Sequence, residues 1–440
     1  MSFDFKLRQV WPIVALAGLL APLALQADHW PRWRGPENDG MALSDAPLRF
    51  SETANVKWKI AIPGRGHSSP VIWENKLFVT TAIQVGAAPL QAAGSEGGGR
   101  PAGGALVEHN FDLICIDKNS GKILWQRTAV KSTPHEGYHH RYGSFASNSP
   151  VTDGKHVFAF FGSRGIYAYD LDGNLQWKKD LNVKMRMRNA FGEGTATVLE
   201  GDTLLLNFDQ EADSFLVALN KNLGEQLWRQ DRDEVSAWAA PFVAAHAGRK
   251  QVIVAATAKV RSYDLETGKL IWECAGLGTN VIPAPVQLGD LVYVMSGHRN
   301  PNLMAIRLGR EGDLTGTDAV VWSTTRGAAY TASPVLEDGR LYVLTDRGFV
   351  SAFDARTGEP FYHQTRLPNP YTFKASPVGA GGKLYLSSEE GDVIVLKMGP
   401  EYEVLAVNTL KDQSFIASPA VVDGEMFLRS ETTLFCISEK

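Results

Sequence analysis

Short apolar strands separated by tight polar turns run the length of this chain, and one arrangement of them returns repeatedly. Cys115 to Trp125 reads CIDKNSGKILW, Ala218 to Trp228 reads ALNKNLGEQLW, and Ser262 to Trp272 reads SYDLETGKLIW. Ala168 to Trp177 (AYDLDGNLQW) and Ala352 to Tyr362 (AFDARTGEPFY) are shortened or altered copies. Each predicts a strand, a tight turn at Asp-x-x-Thr/Ser/Leu-Gly, and a second strand ending in an aromatic. Upstream of each lies a small residue, often in Ser-Pro or Ala-Pro, then two apolar strands around an Asp-Gly-like turn. The prolines are Pro70, Pro150, Pro241, Pro285, Pro334, Pro377 and Pro419, with Thr197 in the remaining unit. From position 150 the steps are 47, 44, 44, 49, 43 and 42 residues, whereas the step from 70 to 150 is 80. The first unit therefore carries an insertion, 83–109. A repeat of roughly 40–45 residues and four short strands must stack on its neighbours to bury its faces, which is the pattern of a propeller blade.

Eight such starts predict an all-β, eight-bladed propeller of four-stranded antiparallel blades over residues 55–440. The last unit stops at its third strand, LFCISEK. Residues 55–60 (NVKWKI) supply the missing fourth, so the N-terminal strand closes the ring and removes an open sheet edge. Trp58, Trp125, Trp177, Trp228, Trp272 and Trp322 end the outer strands. They are expected to dock on the adjacent blade, where a buried aromatic gives large contact area.

Composition narrows the class. The chain has 440 residues, 44% of them apolar, with 42 glycines, 22 prolines and a net charge of −4. No basic stripe is present, which disfavours nucleic acid as a partner. Lys6 and Arg8 precede an apolar run from Val10 to Leu25, and Ala27 is a cleavage point, so 1–27 reads as a signal peptide and 28–54 as a lead-in segment. The run is broken by Pro12 and Pro22 and is short for a membrane span. The expectation is a periplasmic or secreted monomer. No cysteine lies at the boundary to carry a lipid anchor. Cys115, Cys274 and Cys436 read as free buried thiols.

Candidate chemistry sits at one end of the ring. Loops after the second and fourth strands of a blade share a face, which puts the insertion and the segment KSTPHEGYHHRYGS together. His135, His139, His140 and Arg141 there suit a solvated loop or anion contacts better than the tetrahedral site zinc wants. Residues preceding the innermost strands are the expected channel lining: His67, Phe145, Glu193, Trp238, Asn280, Tyr330, Lys374 and Phe415. Arg186, Arg188 and Asn189 lie just before the third unit. This mixture suits an anionic, planar or carbohydrate-like ligand, or a protein partner, at the mouth. The alternative is that these residues pair with one another and hold the blades. Asp209, Glu211 and Asp213 supply oxygens of the kind calcium takes, with a solvated turn as the alternative.

The Ala-x-Asp-x-x-Thr-Gly-x-x-x-Trp unit resembles the tryptophan-docking repeat of quinoprotein dehydrogenases. It is also similar to the PQQ-like repeats of the outer-membrane assembly factor BamB. The opening motif, Trp30-Pro-Arg-Trp-Arg-Gly-Pro-Glu-Asn-Asp-Gly40, looks like the start of many exported PQQ-binding-like propeller proteins. The resemblance covers nearly all of 55–440. It implies two functions. One is a non-catalytic binding or scaffold protein of the cell envelope. The other is a PQQ-dependent alcohol or sugar oxidoreductase, with pyrroloquinoline quinone and Ca²⁺ in the mouth and Glu193 and Asn280 in ligand positions. Many such enzymes stack the quinone on a vicinal Cys-Cys disulfide, which this chain lacks. The repeat itself describes blade packing and not a cofactor site.

Overall fold

The computed structural model describes residue 1, residues 28–86 and residues 103–439. The expected leader lies outside these apart from Met1, as does the middle of the 83–109 insertion. Val71–Trp73, Lys76–Gln84, His109–Asp117 and Ile123–Ser132 form blade 1. Blades 2 to 7 repeat the antiparallel meander through residues 151–179, 198–232, 242–274, 286–324, 335–366 and 378–409. Blade 8 takes three strands from 420–438, and Val56–Ala61 is its outermost strand, antiparallel to Thr433–Ser438. The ring is an eight-bladed β-propeller closed by its N-terminal strand. Among the described residues, no helix is long and apolar enough to cross a membrane.

The apolar pattern follows position within the blade. Middle strands are covered on both faces, so Leu204, Leu205 and Leu206 are all fully buried in one continuous run. Outermost strands face solvent on one side, and burial alternates along Val56–Ala61.

The repeated turn joins neighbouring blades. Asp264 accepts hydrogen bonds from the amide and hydroxyl of Thr267, and Gly268 N donates to Asp264 O. Gly268 has φ +70° and lies beneath the indole of Trp228 in the preceding blade, where a Cβ would come within 2.7 Å of the ring. The indole Nε1 of Trp58, Trp125, Trp177, Trp228 and Trp322 each donates to a turn carbonyl of the next blade, at 2.8–3.0 Å. Trp272 differs, because blade 5 replaces the tight turn with a longer excursion. Gly312–Asp313 of that excursion pairs in parallel beside Trp272 and Glu273. Trp272 is fully buried and donates instead to Gln251 Oε1 of its own blade, at 2.9 Å.

Two features shape the channel. The first is a relay of serines that precede the inner-strand prolines. Ala284 N donates to Ser333 Oγ, Ser333 N to Ser376 Oγ, Ser376 N to Ser418 Oγ, Ser418 N to Ser69 Oγ, and Ser69 N to Ser149 Oγ. Small residues are needed because the blades converge there, and each hydroxyl satisfies a buried amide across the blade boundary. The second is a plug made by the opening motif. Arg34 is fully buried and donates to the carbonyls of Pro334 (2.6 Å), Pro377 (2.8 Å) and Asp39 (3.1 Å). Trp33 Nε1 donates to Ser418 Oγ at 3.1 Å. Trp30 pairs with Ile72 and Pro31 O accepts from Thr152 N, so the plug reaches blades 1, 2, 6, 7 and 8.

Candidate functional site

The irregular segments before the inner strands meet around a well of about 210 Å³. Trp33 of the plug forms part of its floor, and Ser69, Ser149 and Ser418 of the relay ring its wall. Tyr142, Phe191, Trp238, Tyr330 and Lys374 frame the mouth.

Aromatic contacts fix this frame. His139 stacks on Tyr142 at 3.6 Å between centroids and on His140 at 4.9 Å, and meets Phe191 at 5.0 Å. Trp238 is anchored by Nε1 donating to Gly192 O at 2.8 Å. Tyr330 stacks on His298 at 5.0 Å. Lys374 Nζ sits 4.7 Å from the Tyr142 ring centroid, a cation–π distance. The end of the insertion touches the same face, since Gly103 and Tyr138 exchange backbone hydrogen bonds.

Charges at the mouth cancel. Lys374 Nζ lies 2.6 Å from Asp346 Oδ2 and 3.9 Å from Glu389 Oε1, while Arg141 lies 3.9 Å from Glu389 Oε2. Burial pushes the Glu389 carboxyl up and the Tyr142 hydroxyl up to about 12. His67 is held down to about 3, first by burial and then by the Arg429 and Arg65 guanidinium groups. The His67 imidazole in the wall is therefore neutral, and its Nε2 has no hydrogen-bond partner.

Of the residues expected to line the channel, His67, Trp238, Tyr330 and Lys374 do so. Glu193 turns away, because its carboxylate accepts from Ser163 N at 2.5 Å and lies 3.4 Å from Arg164 and 3.7 Å from His135. Asn280 is buried behind Tyr330, whose hydroxyl it hydrogen-bonds, leaving its own Oδ1 unpaired. Phe415 is fully buried in the core, and Phe145 packs on Tyr138 and His109 beside a neighbouring cleft. Arg188 pairs with Glu211 at 3.2 Å, and Arg186 and Asn189 are exposed. Asp209 is not on a solvated turn: with no exposure, it forms a two-point ion pair with Arg232, which is equally buried. Asp213 contributes a backbone carbonyl to Gln210. Asp209 and Glu211 thus serve different arginines, and the three carboxylates do not converge. Among the described residues no group of three or more His, Cys, Asp or Glu has a metal-holding arrangement.

Sequence reasoning missed Tyr142, Phe191, the plug and the relay. The signals were present, as the small residue before each proline and as the spacing of Trp30, Trp33 and Arg34.

A family profile described as outer membrane protein assembly factor BamB matches residues 94–220, 212–309 and 310–399. This chain belongs to that family. Outer membrane protein assembly factor BamB of Yersinia pestis is 19% identical over 328 residues, which cover 72% of this chain and 77% of the relative. BamB from Moraxella catarrhalis superposes with a TM-score of 0.54 at 14% identity, over 74% of this chain and 91% of that one. A europium-containing methanol dehydrogenase superposes with a TM-score of 0.63 at 10% identity, over 94% and 99%. At such identities the two solved structures establish a shared fold.

Within this BamB-family propeller, the residues do not fit a quinone beside a metal ion. The carboxylates around the mouth are committed to cations, Asp346 and Glu389 to Lys374, Glu193 to Arg164 and Glu211 to Arg188. Asn280 is buried behind a tyrosine. The three cysteines are buried free thiols at separate positions. Burial drives the thiols of Cys115 and Cys274 up, to about 12 and about 11, so they are inert.

Proposed function

We propose that this chain is a non-catalytic binding and scaffold propeller of the cell envelope, which engages its ligand or partner on the face where the well opens. One observation carries the reading. The acidic groups that a dehydrogenase-type mouth would need are spent on internal ion pairs, while an aromatic, charge-balanced well stays open beside them. The family description supports placement in the envelope, because it names an outer membrane protein assembly factor. The proposal takes the chain to the periplasm or outside the cell by way of the apolar run Val10 to Leu25, and as a monomer.

The competing reading is a quinone-dependent oxidoreductase, supported by the fold shared with methanol dehydrogenase. Titration with pyrroloquinoline quinone, alone and with Ca²⁺ or Eu³⁺, separates the two. The binding reading expects no saturable uptake of quinone and no dye-linked oxidation of alcohols or sugars. Stoichiometric uptake with turnover would overturn it.

A further inference from the structure

The well pairs flat aromatic faces with neutral hydrogen-bonding groups. Tyr142, Phe191, Trp238 and Tyr330 supply the faces. Ser69, Ser149 and Ser418 each accept a backbone amide, and each keeps a hydroxyl proton to donate. Two wall residues leave a buried polar atom unpaired. They are His67 (Nε2), 8% exposed in the blade 1 wall, and Thr195 (Oγ1), 9% exposed in the blade 3 wall. Such groups are destabilising in a native protein unless something satisfies them. Lys374 and Arg141 are matched by Asp346 and Glu389, so these four charges are already paired with one another.

We propose that the well binds one neutral, pyranose-sized sugar unit, either a free monosaccharide or the exposed end of a glycan. This rests on the reading of the chain as a binding propeller and names the ligand class of its well. A sugar ring has C–H faces that lie against aromatic rings, and a rim of hydroxyls that both donate and accept. An anion in the well would meet Asp346 and Glu389, which already hold Lys374 and Arg141. A flat apolar ring would leave His67 and Thr195 unsatisfied. The volume suits a single ring inside, with any further units leaving through the mouth.

Calorimetric titration of the full mature chain tests this, with glucose, N-acetylglucosamine and their β-1,4-linked dimers as probes, and acetate and phosphate as controls. The wild type should give saturable heat with at least one sugar and none with the anions. Thr195→Val removes only an unpaired hydroxyl, so its melting temperature should hold or rise while sugar affinity falls roughly tenfold. Tyr142→Ala should abolish binding. Tighter binding of a dimer than of its monomer identifies a glycan end, and equal binding identifies a free sugar. Either result supports the proposal. No saturable sugar heat at millimolar concentration, or unchanged affinity in both variants, overturns it. Absent sugar binding together with absent quinone binding sinks this ligand alone, whereas quinone uptake with turnover sinks the binding reading beneath it.

Discussion

The indole of Trp125 lies over the α-carbon of Gly173 in the next blade, so that a Cβ on Gly173 would fall 2.8 Å from the ring. Gly173 also has φ +83°, and Trp125 Nε1 donates to Leu171 O in the same turn. Steric contact and backbone strain coincide at this one residue. Gly173→Ala should therefore destabilise by about 2–4 kcal/mol. Gly339 supplies the control, with φ +72° and nothing within 4 Å of an added Cβ. Gly339→Ala should cost only the backbone part, about 1 kcal/mol. Urea denaturation of both variants checks the difference, and equal losses would mean that the indole contact contributes nothing.

Among the described residues Arg34 forms no close ion pair; the Asp39 carboxylate acts on it through space, and its guanidinium donates to three backbone carbonyls. Burial lowers its pKa to about 10, and it remains charged at neutral pH. Arg34→Ala should cost about 3–4 kcal/mol, because the plug loses its tie to Pro334 and Pro377. Arg34→Lys should recover only part of that, since one ammonium cannot reproduce the planar fork. Thermal melting with hydrogen exchange at 30–42 reads both stability and plug release. Full rescue by lysine would show that charge alone, without geometry, seats the plug.

His67 predicts a pH dependence. Its folded pKa of about 3 lies below the ordinary value of 6.5. The unfolded chain binds the extra proton between those values, so this contribution is complete above pH 6.5 and is lost as pH falls toward 3. The slope approaches about 1.4 kcal/mol per pH unit inside that window. His67→Gln should flatten the acid limb of stability relative to wild type while changing little at pH 8. Parallel curves for the two proteins would exclude His67 as the group responsible.

Ring closure rests on Val56–Ala61, whose residues Lys59, Ile60 and Ala61 lie opposite Phe435, Leu434 and Thr433. Replacing these six residues with a Gly-Ser linker should expose the Thr433–Ser438 edge. The expected results are a lower melting temperature, faster amide exchange at Leu434 and Cys436, and concentration-dependent association. A variant as stable and as monomeric as wild type would refute closure by this strand.

The ring was legible in sequence because each blade repeats one turn and one aromatic, and the incomplete last unit called for residues 55–60, one residue from the observed Val56–Ala61. The site was legible only in part. His67, Trp238, Tyr330 and Lys374 line the mouth as their place before the inner strands suggests. Glu193 does not, because it follows an irregular segment whose direction is set by Ser163 and Arg164 about thirty residues upstream. Asp209 looked like a turn carboxylate, but Arg232, at the end of the outer strand of the same blade, draws it into full burial. Partners remote in sequence decided both outcomes, and no local pattern encodes them. The serine relay is the reverse case, since its residues were visible before the prolines while their bonds run between blades.

Native mass spectrometry of the protein, purified from its own host under mild conditions, tests the binding reading most directly. The account predicts a folded chain that carries a non-covalent neutral ligand or a protein partner. A chain that retains pyrroloquinoline quinone and a metal ion in equal amounts would contradict it.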